Sequence, residues 1–326
     1  MTSTHVASGP RASRATIILA FAAVYIIWGS TYLGIRYAIE TLPGFLMAGT
    51  RFFIAGALLF AWAKLHGDRV GSLAQWRRAF VIGGLLLLGG NGGVTWAEKY
   101  IASGLAAVMV ATEPLWVVVF NWAATHRRPN GKVLLGVLIG LVGVALLVGG
   151  GGLSNGHSVS ALSLAATGVV LLASLCWAGG SVYASRRPIQ ASTSMAAGMQ
   201  MMAGGILLLL LALATGDFKR LNLAAASWVS LSAFGYLLVF GSLVGFTAYS
   251  WLLRHVTTAS AATYAYVNPV VAVLLGWFFA HEPLTLRMLL AAAVIVGSVV
   301  LITTFGGEHV SAAAVHDSEC PTPPCA

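Results

Sequence analysis

The stretches 114-PLWVVVFNW-122 and 269-PVVAVLLGW-277 each run from a proline to a tryptophan through mostly apolar residues. They lie 155 positions apart, and the register holds around them: Trp96 meets Trp251, Lys99 meets Arg254, Ile101 meets Val256, His126 meets His281 and Lys132 meets Arg287. Earlier in the chain the shift is 149, pairing Trp28 with Trp177, Ala48 with Ala197, Gly49 with Gly198 and Gly56 with Gly205. A six-residue difference in the linker between the second and third apolar spans of each half reconciles the two shifts. Tryptophan and proline are rare residues, so their agreement in one register marks a duplicated unit.

Composition says in what solvent this unit folds. Hydrophobic residues make up 58% of the chain and charged residues 8%, against roughly 25% charged in a soluble domain. So few charges cannot coat a water-facing surface. Apolar runs of about 20 residues, enough to cross a bilayer core, fall near 15–36, 44–65, 77–97, 102–125, 131–149, 160–185, 193–214, 227–252, 258–280 and 285–305. All are expected to be helices, because lipid offers backbone N–H and C=O groups no other partner. The expected fold is an all-α integral membrane protein with ten transmembrane helices, as two five-helix repeats. Five is odd, so the copies enter the membrane in opposite senses. Inverted repeats of this kind typify secondary transporters, with the site near the midplane between the halves. The expected organisation is an N-terminal segment 1–14, a first repeat 15–149, a Gly-rich linker 150–159, a second repeat 160–305 and a disordered tail 306–326.

The net charge of +9 sets orientation. When the loops alternate sides, 12 of the 18 Lys and Arg residues fall on the side of the termini, 5 on the other, and Arg51 lies within a span. The positive-inside rule then places both termini in the cytoplasm. No basic cluster resembles a nucleic-acid footprint. Arg11 and Arg14 precede the first apolar run as they would in a signal peptide, but its length and the nine spans after it favour an uncleaved helix. Cys176 reads as a small buried residue. Cys320 and Cys325, with His309 and His316 nearby, lie in a short polar tail that reads as disordered rather than metal-binding. No metal site or cofactor is expected. The expected partners are a small-molecule substrate and the lipid bilayer, with the chain a monomer or homodimer.

Two charges stand inside spans. Glu113 directly precedes Pro114 in 110-VATEPLW-116, about 17 Å from either end of its span at 1.5 Å per residue. An intramembrane charge costs at least ~2.5–3.5 kcal/mol on insertion scales. Proline removes an N–H and clashes with the carbonyl of Val110, so a helix kink is expected there. Both costs become tolerable beside a wet cavity; a helix–helix hydrogen bond to Glu113 is the other reading. Asn268 and Pro269 occupy the matching place in the second half, with a second kink, and the two polar side chains read as facing halves of one site. Arg51, roughly 10 Å deep, could snorkel outward, pair with Glu98 or bind a substrate carboxylate. Helical spacing places Trp28 with Tyr32, and Tyr264 with Asn268, on common faces, and Trp116 near the face of Glu113; all are candidates for cavity walls. Trp62, Trp76 and Trp122 sit near span ends and read as an interfacial belt. Asn91 lies in 89-GGNGG-93, where the glycines permit close helix approach or a hinge. The GxxxG of 136-GVLIG-140 is a packing signal or a dimer face. No nucleophile–base pair or Walker motif occurs, so no enzymatic activity is expected. An intramembrane sensor or an enzyme without a recognisable catalytic constellation is the alternative to a transporter.

The stretches 27-IWGSTYLGIR-36, 47-MAGTRFFIAGALL-59, 90-GNGGVTWAE-98 and 265-AYVNPVVAVLLGWFFAHEPLT-285 resemble the EamA-type members of the drug/metabolite transporter superfamily. The resemblance covers about residues 15–305 and rests on the order and spacing of these motifs. It implies a ten-helix transporter with a central cavity that exports amino acids or other small metabolites. The motif positions carry over onto Trp28, Gly29, Ser30, Arg51, Asn91, Glu98, Pro114, Asn268, Pro269 and Glu282. The chain departs from the family where many relatives have an apolar residue in place of Glu113 and Glu in place of Asn268, so the acid sits in the opposite half.

Overall fold

The structure, a computed structural model, describes residues 13–101, 106, 109–126, 128–148, 161–280 and 286–305. Among these residues the chain is helical with no strand. Helix α1 spans Arg14–Ala38, α2 Gly44–Leu65, α3 Leu73–Ala97, α4 Glu113–Thr125 and α5 Gly131–Val148. In the second half α6 spans Ala161–Arg186, α7 Thr193–Ala214, α8 Trp228–His255, α9 Tyr264–Ala280 and α10 Leu286–Phe305. Six of them (α1, α2, α3, α6, α7 and α8) are long and apolar enough to cross a bilayer, and shorter apolar stretches lie in α5 and α10. Their outer faces carry exposed Leu19, Leu58, Leu138, Leu172, Leu210 and Val296. A surface so apolar is solvated by lipid, and the chain is a membrane protein.

Local chemistry sets several helix starts. Ser13 caps α1 by accepting from the Thr16 amide at 3.1 Å. A reciprocal Ser72–Gln75 capping box starts α3, ahead of the apolar run expected from 77, because satisfied amides let a polar first turn join the helix. Two expected spans are interrupted. The run 102–125 contains a turn at Ala111 and Thr112, and α4 starts at Glu113. The expected kink at Pro114 is therefore a restart: proline sits in a first turn, where its missing N–H costs nothing. The run 258–280 divides into a short helix Thr258–Ala261, a turn at residues 262–263, and α9, which carries Pro269 inside it. Pro269 withholds the amide that would bond the Ala265 carbonyl.

Helices of the two halves pack on one another. Helix α2 crosses α7 antiparallel, with Gly49 opposite Gly205 and Gly56 opposite Gly198. A Cβ on Gly56 would stand 2.6 Å from the Met202 nitrogen, and one on Gly205 2.6 Å from the Phe53 nitrogen, so glycine alone lets these backbones meet. Helix α5 lies antiparallel to α10: Gly136 faces Ile302, Gly140 faces Tyr266 and Ser298, and Gly143 faces Ile295. The GxxxG face that could have served a dimer is thus covered by the chain's own helices. Helix α1 lies against α8 and α9, and α6 lies against α3 and α4. Helices α3 and α8 each contain wide π turns, over Gly84–Gly92 and Leu237–Phe246. Trp62 and Trp122 are exposed near helix ends, whereas Trp76 is half-buried against Phe60. Glu282, the linker and the tail with its cysteines lie outside the described residues.

Candidate functional site

A cavity lies where α1, α2, α3, α4, α6, α8 and α9 converge, with about 70 Å³ open to the centres of water molecules. Trp28, Tyr32, Arg51, Asn91, Glu113, Tyr264 and Asn268 all line it. Trp116 does not. It packs with Val117, Ala178, Val182 and Ala262, because α4 lies against α6 along the face that carries Trp116 and Phe120.

Glu113 enters the wall from the first turn of α4 and is fully buried. The positive end of the helix dipole suits a carboxyl group there. Its Oε2 accepts a 2.5 Å hydrogen bond from the Tyr264 hydroxyl, while Oε1 has no partner. Asn268, on α9, is 2% exposed and leaves Oδ1 without a partner.

Arg51 is 2% exposed and does not snorkel. It donates through Nη2 to Asn91 Oδ1 at 3.0 Å, its guanidinium carbon lies 4.2 Å from the Phe52 ring centroid, and Nε has no partner. The pairing with Glu98, one of the three readings of Arg51, is not made as a contact. Both Glu98 carboxyl oxygens lack hydrogen-bond partners, and the ion pair found among the described residues is Arg220–Asp217, at 3.6 Å. Glu98 instead caps the C-terminal end of α3, seven residues beyond Asn91, in a separate open pocket with Arg36 and Lys99.

One side of the cavity is a layer of rings. Trp28 has its centroid 5.4 Å from Trp177, 5.0 Å from Tyr249 and 4.9 Å from Tyr264, in edge or tilted contacts. Such pairs contribute about 0.5–1.5 kcal/mol each beyond their buried area. The polar edges are satisfied within the protein. Trp28 Nε1 donates to the Gly241 carbonyl at 3.1 Å, and Trp177 Nε1 donates to the Tyr249 hydroxyl at 3.3 Å. The Tyr249 hydroxyl also shares a 2.6 Å hydrogen bond with Ser181. Each tryptophan occupies a notch in a π segment of the other half. A Cβ on Gly245 would stand 2.5 Å from Trp28 Nε1, and one on Gly90 would stand 2.6 Å from Trp177 Cε3.

Sequence reasoning missed Trp177, Tyr249 and Ser174 as parts of this site. For Trp177 the signal was present, since it is the partner of Trp28 at a shift of 149. Tyr249 and Ser174 carry no such mark, as a single aromatic or hydroxyl in an apolar run does not say which way it faces.

Known proteins are similar to this chain. The sequence profile of the EamA-like transporter family matches the chain twice, over residues 15–149 and 164–304. The chain is 41% identical over 301 residues to the uncharacterized inner membrane transporter YedA of Escherichia coli (strain K12), covering 91% of this chain and 94% of that one. It is 25% identical over 284 residues to the uncharacterized transporter YoaV of Bacillus subtilis (strain 168), covering 86% and 94%. A protein crystal structure superposes with a TM-score of 0.71 over 90% of this chain and 98% of its own, at 21% identity, a likeness of fold alone. With the profile covering both halves and a relative this similar along nearly its whole length, the chain belongs to the EamA-like transporter family.

Proposed function

We propose that the chain exports a small metabolite bearing both an acid and an amine, an amino acid or a related compound, by alternating access around this cavity. The observation that carries the reading is a set of three unpartnered buried polar atoms, Arg51 Nε, Glu113 Oε1 and Asn268 Oδ1, on residues lining one ring-walled space. A buried polar atom without a partner costs ~1–3 kcal/mol. A zwitterion supplies what is lacking: an anion for the guanidinium and N–H donors for the two acceptors. Trp28, Trp177, Phe52 and Phe246 offer an apolar wall to the remainder of such a molecule. The space exceeds several-fold the ~10–15 Å³ that one water needs, so water or a small solute can enter.

The two halves are read as inverted five-helix repeats crossing the membrane ten times. Support comes from the antiparallel α2–α7 seam, in which the pair Gly49–Gly205 becomes Gly198–Gly56 when the halves are exchanged. The notches agree: Trp28 at Gly245 becomes Trp177 at Gly90 under the same exchange. The twofold profile match points the same way. With 12 basic residues on the side of the termini against 5 on the other, both termini are placed in the cytoplasm. An inner-membrane location follows the name of the relative YedA. In that orientation Thr31, Ile35 and Val94 extend the cavity outward, and the ring layer closes it toward the cytoplasm.

Counterflow in proteoliposomes tests the reading. The twenty amino acids would be screened as substrates, and each one transported compared with the amine lacking its carboxylate and the acid lacking its ammonium. Both truncated analogues are expected to compete at least about tenfold more weakly, the scale of one lost charged hydrogen bond. An analogue missing either group that competes as well as the parent overturns the dipolar reading.

A further inference from the structure

We infer that the arginine-rich end of the molecule binds an anionic phospholipid in a groove between α3, α4 and α6. This groove offers about 850 Å³ to the centres of water molecules and shares no lining residue with the central cavity. Its apolar part is formed by Phe120, Ala123, Gly179 and Val182, and Arg78, Arg186 and Arg187 also line it. None of its lining residues is acidic. Arg78 donates to the Pro188 carbonyl at 3.1 Å, and Arg186 to the Ala124 carbonyl at 3.4 Å. Each contact engages one of the five N–H donors of a guanidinium. Three like charges gathered without a carboxylate call for an anion, and forked guanidinium donors suit a phosphate. The apolar walls narrow the choice of source. A free phosphate has no use for Phe120 and Val182, and a neutral lipid has none for three arginines. A phospholipid with net negative charge uses both, its headgroup at the arginines and an acyl chain against α4 and α6. The Trp116–Val182 packing cluster borders this groove and shares Phe120 and Val182 with it.

Native mass spectrometry of the purified full chain, titrated with phosphatidylglycerol, phosphatidylcholine or inorganic phosphate, tests this. Phosphatidylglycerol should be retained more tightly than phosphatidylcholine. The double variant Arg186→Gln/Arg187→Gln should weaken phosphatidylglycerol by about fivefold per arginine and leave phosphatidylcholine unchanged. Lys99→Gln/Lys219→Gln, which removes two charges from the other end, should change neither. Gly179→Leu keeps every charge and fills the apolar wall, since a Cβ there meets only Phe120 Cε2, at 3.7 Å; it should displace phosphatidylglycerol. It also serves if the arginine variant fails to fold. Equal retention of the two lipids, equal loss in the lysine control, or retention unaffected by Gly179→Leu and competed away by phosphate would each overturn the inference, the last by showing a site for soluble anions.

Discussion

Glu113 can be separated from its surroundings by substitutions that keep or remove one property at a time. Gln at this position still accepts from Tyr264 but cannot ionise, so Glu113→Gln is expected to leave yield unchanged and to flatten the pH profile of flux in proteoliposomes. Glu113→Leu removes the acceptor as well, leaves the Tyr264 hydroxyl without its partner, and should abolish flux of a polar substrate. If both variants transport as the parent does at every pH, Glu113 is a packing residue. Arg51 allows a second separation. Because it bonds to Asn91 and makes no contact pair with Glu98, while the two buried charges still attract each other, a double-mutant cycle on Arg51→Ala and Glu98→Ala should show a coupling below the ~3–5 kcal/mol of a broken buried ion pair. A larger coupling would restore the ion pair. Sequence alone marked both charges, because any charge in an apolar run stands out. Their partners were not legible, since the distance between two spans is set by packing that no single span records.

At the scale of the helix, the expected runs and the observed elements agree where hydropathy is the governing signal, as in α1, α2 and α7. They part where backbone hydrogen bonding governs. A proline in an apolar run announces a missing amide, but a kink within a helix and a restart after a turn satisfy that loss equally. Only the packing of α4 against α6 and the short helix Thr258–Ala261 distinguishes them at Pro114. Close helix approach is testable in the same terms. Gly56→Ala places a Cβ 2.6 Å from the Met202 nitrogen, a backbone atom that cannot rotate away. It should destabilise the protein by about 1–3 kcal/mol, read from unfolding in detergent. Gly235→Ala, on α8, meets nothing within 4 Å and should be neutral or stabilising by up to ~1 kcal/mol through helix propensity. Equal effects at the two sites would deny that the α2–α7 seam is tight.

For the whole molecule, the proposed inversion makes a prediction that neither half makes alone. Glu40 follows the first helix of one half and Arg187 the first helix of the other. Cysteines introduced there, in a chain whose Cys176, Cys320 and Cys325 are replaced by serine, should label from opposite sides of the membrane, Glu40 from outside and Arg187 from within, when an impermeant thiol reagent is applied to intact cells and to inverted vesicles. Labelling of both from one side would refute the inverted arrangement. The duplication was legible because tryptophan, proline and glycine tolerate few substitutes at such positions, whereas the ring layer it builds became visible only when the halves met. That layer also has a genetic signature. Since Trp177 fills the notch at Gly90 and Trp28 the notch at Gly245, a side chain added at either glycine should be suppressed by a smaller residue across from it and not by one in the other notch. Selection for restored transport in Gly90→Ala should recover changes at Trp177, and in Gly245→Ala changes at Trp28, so that revertants alone would draw the contact map between the halves.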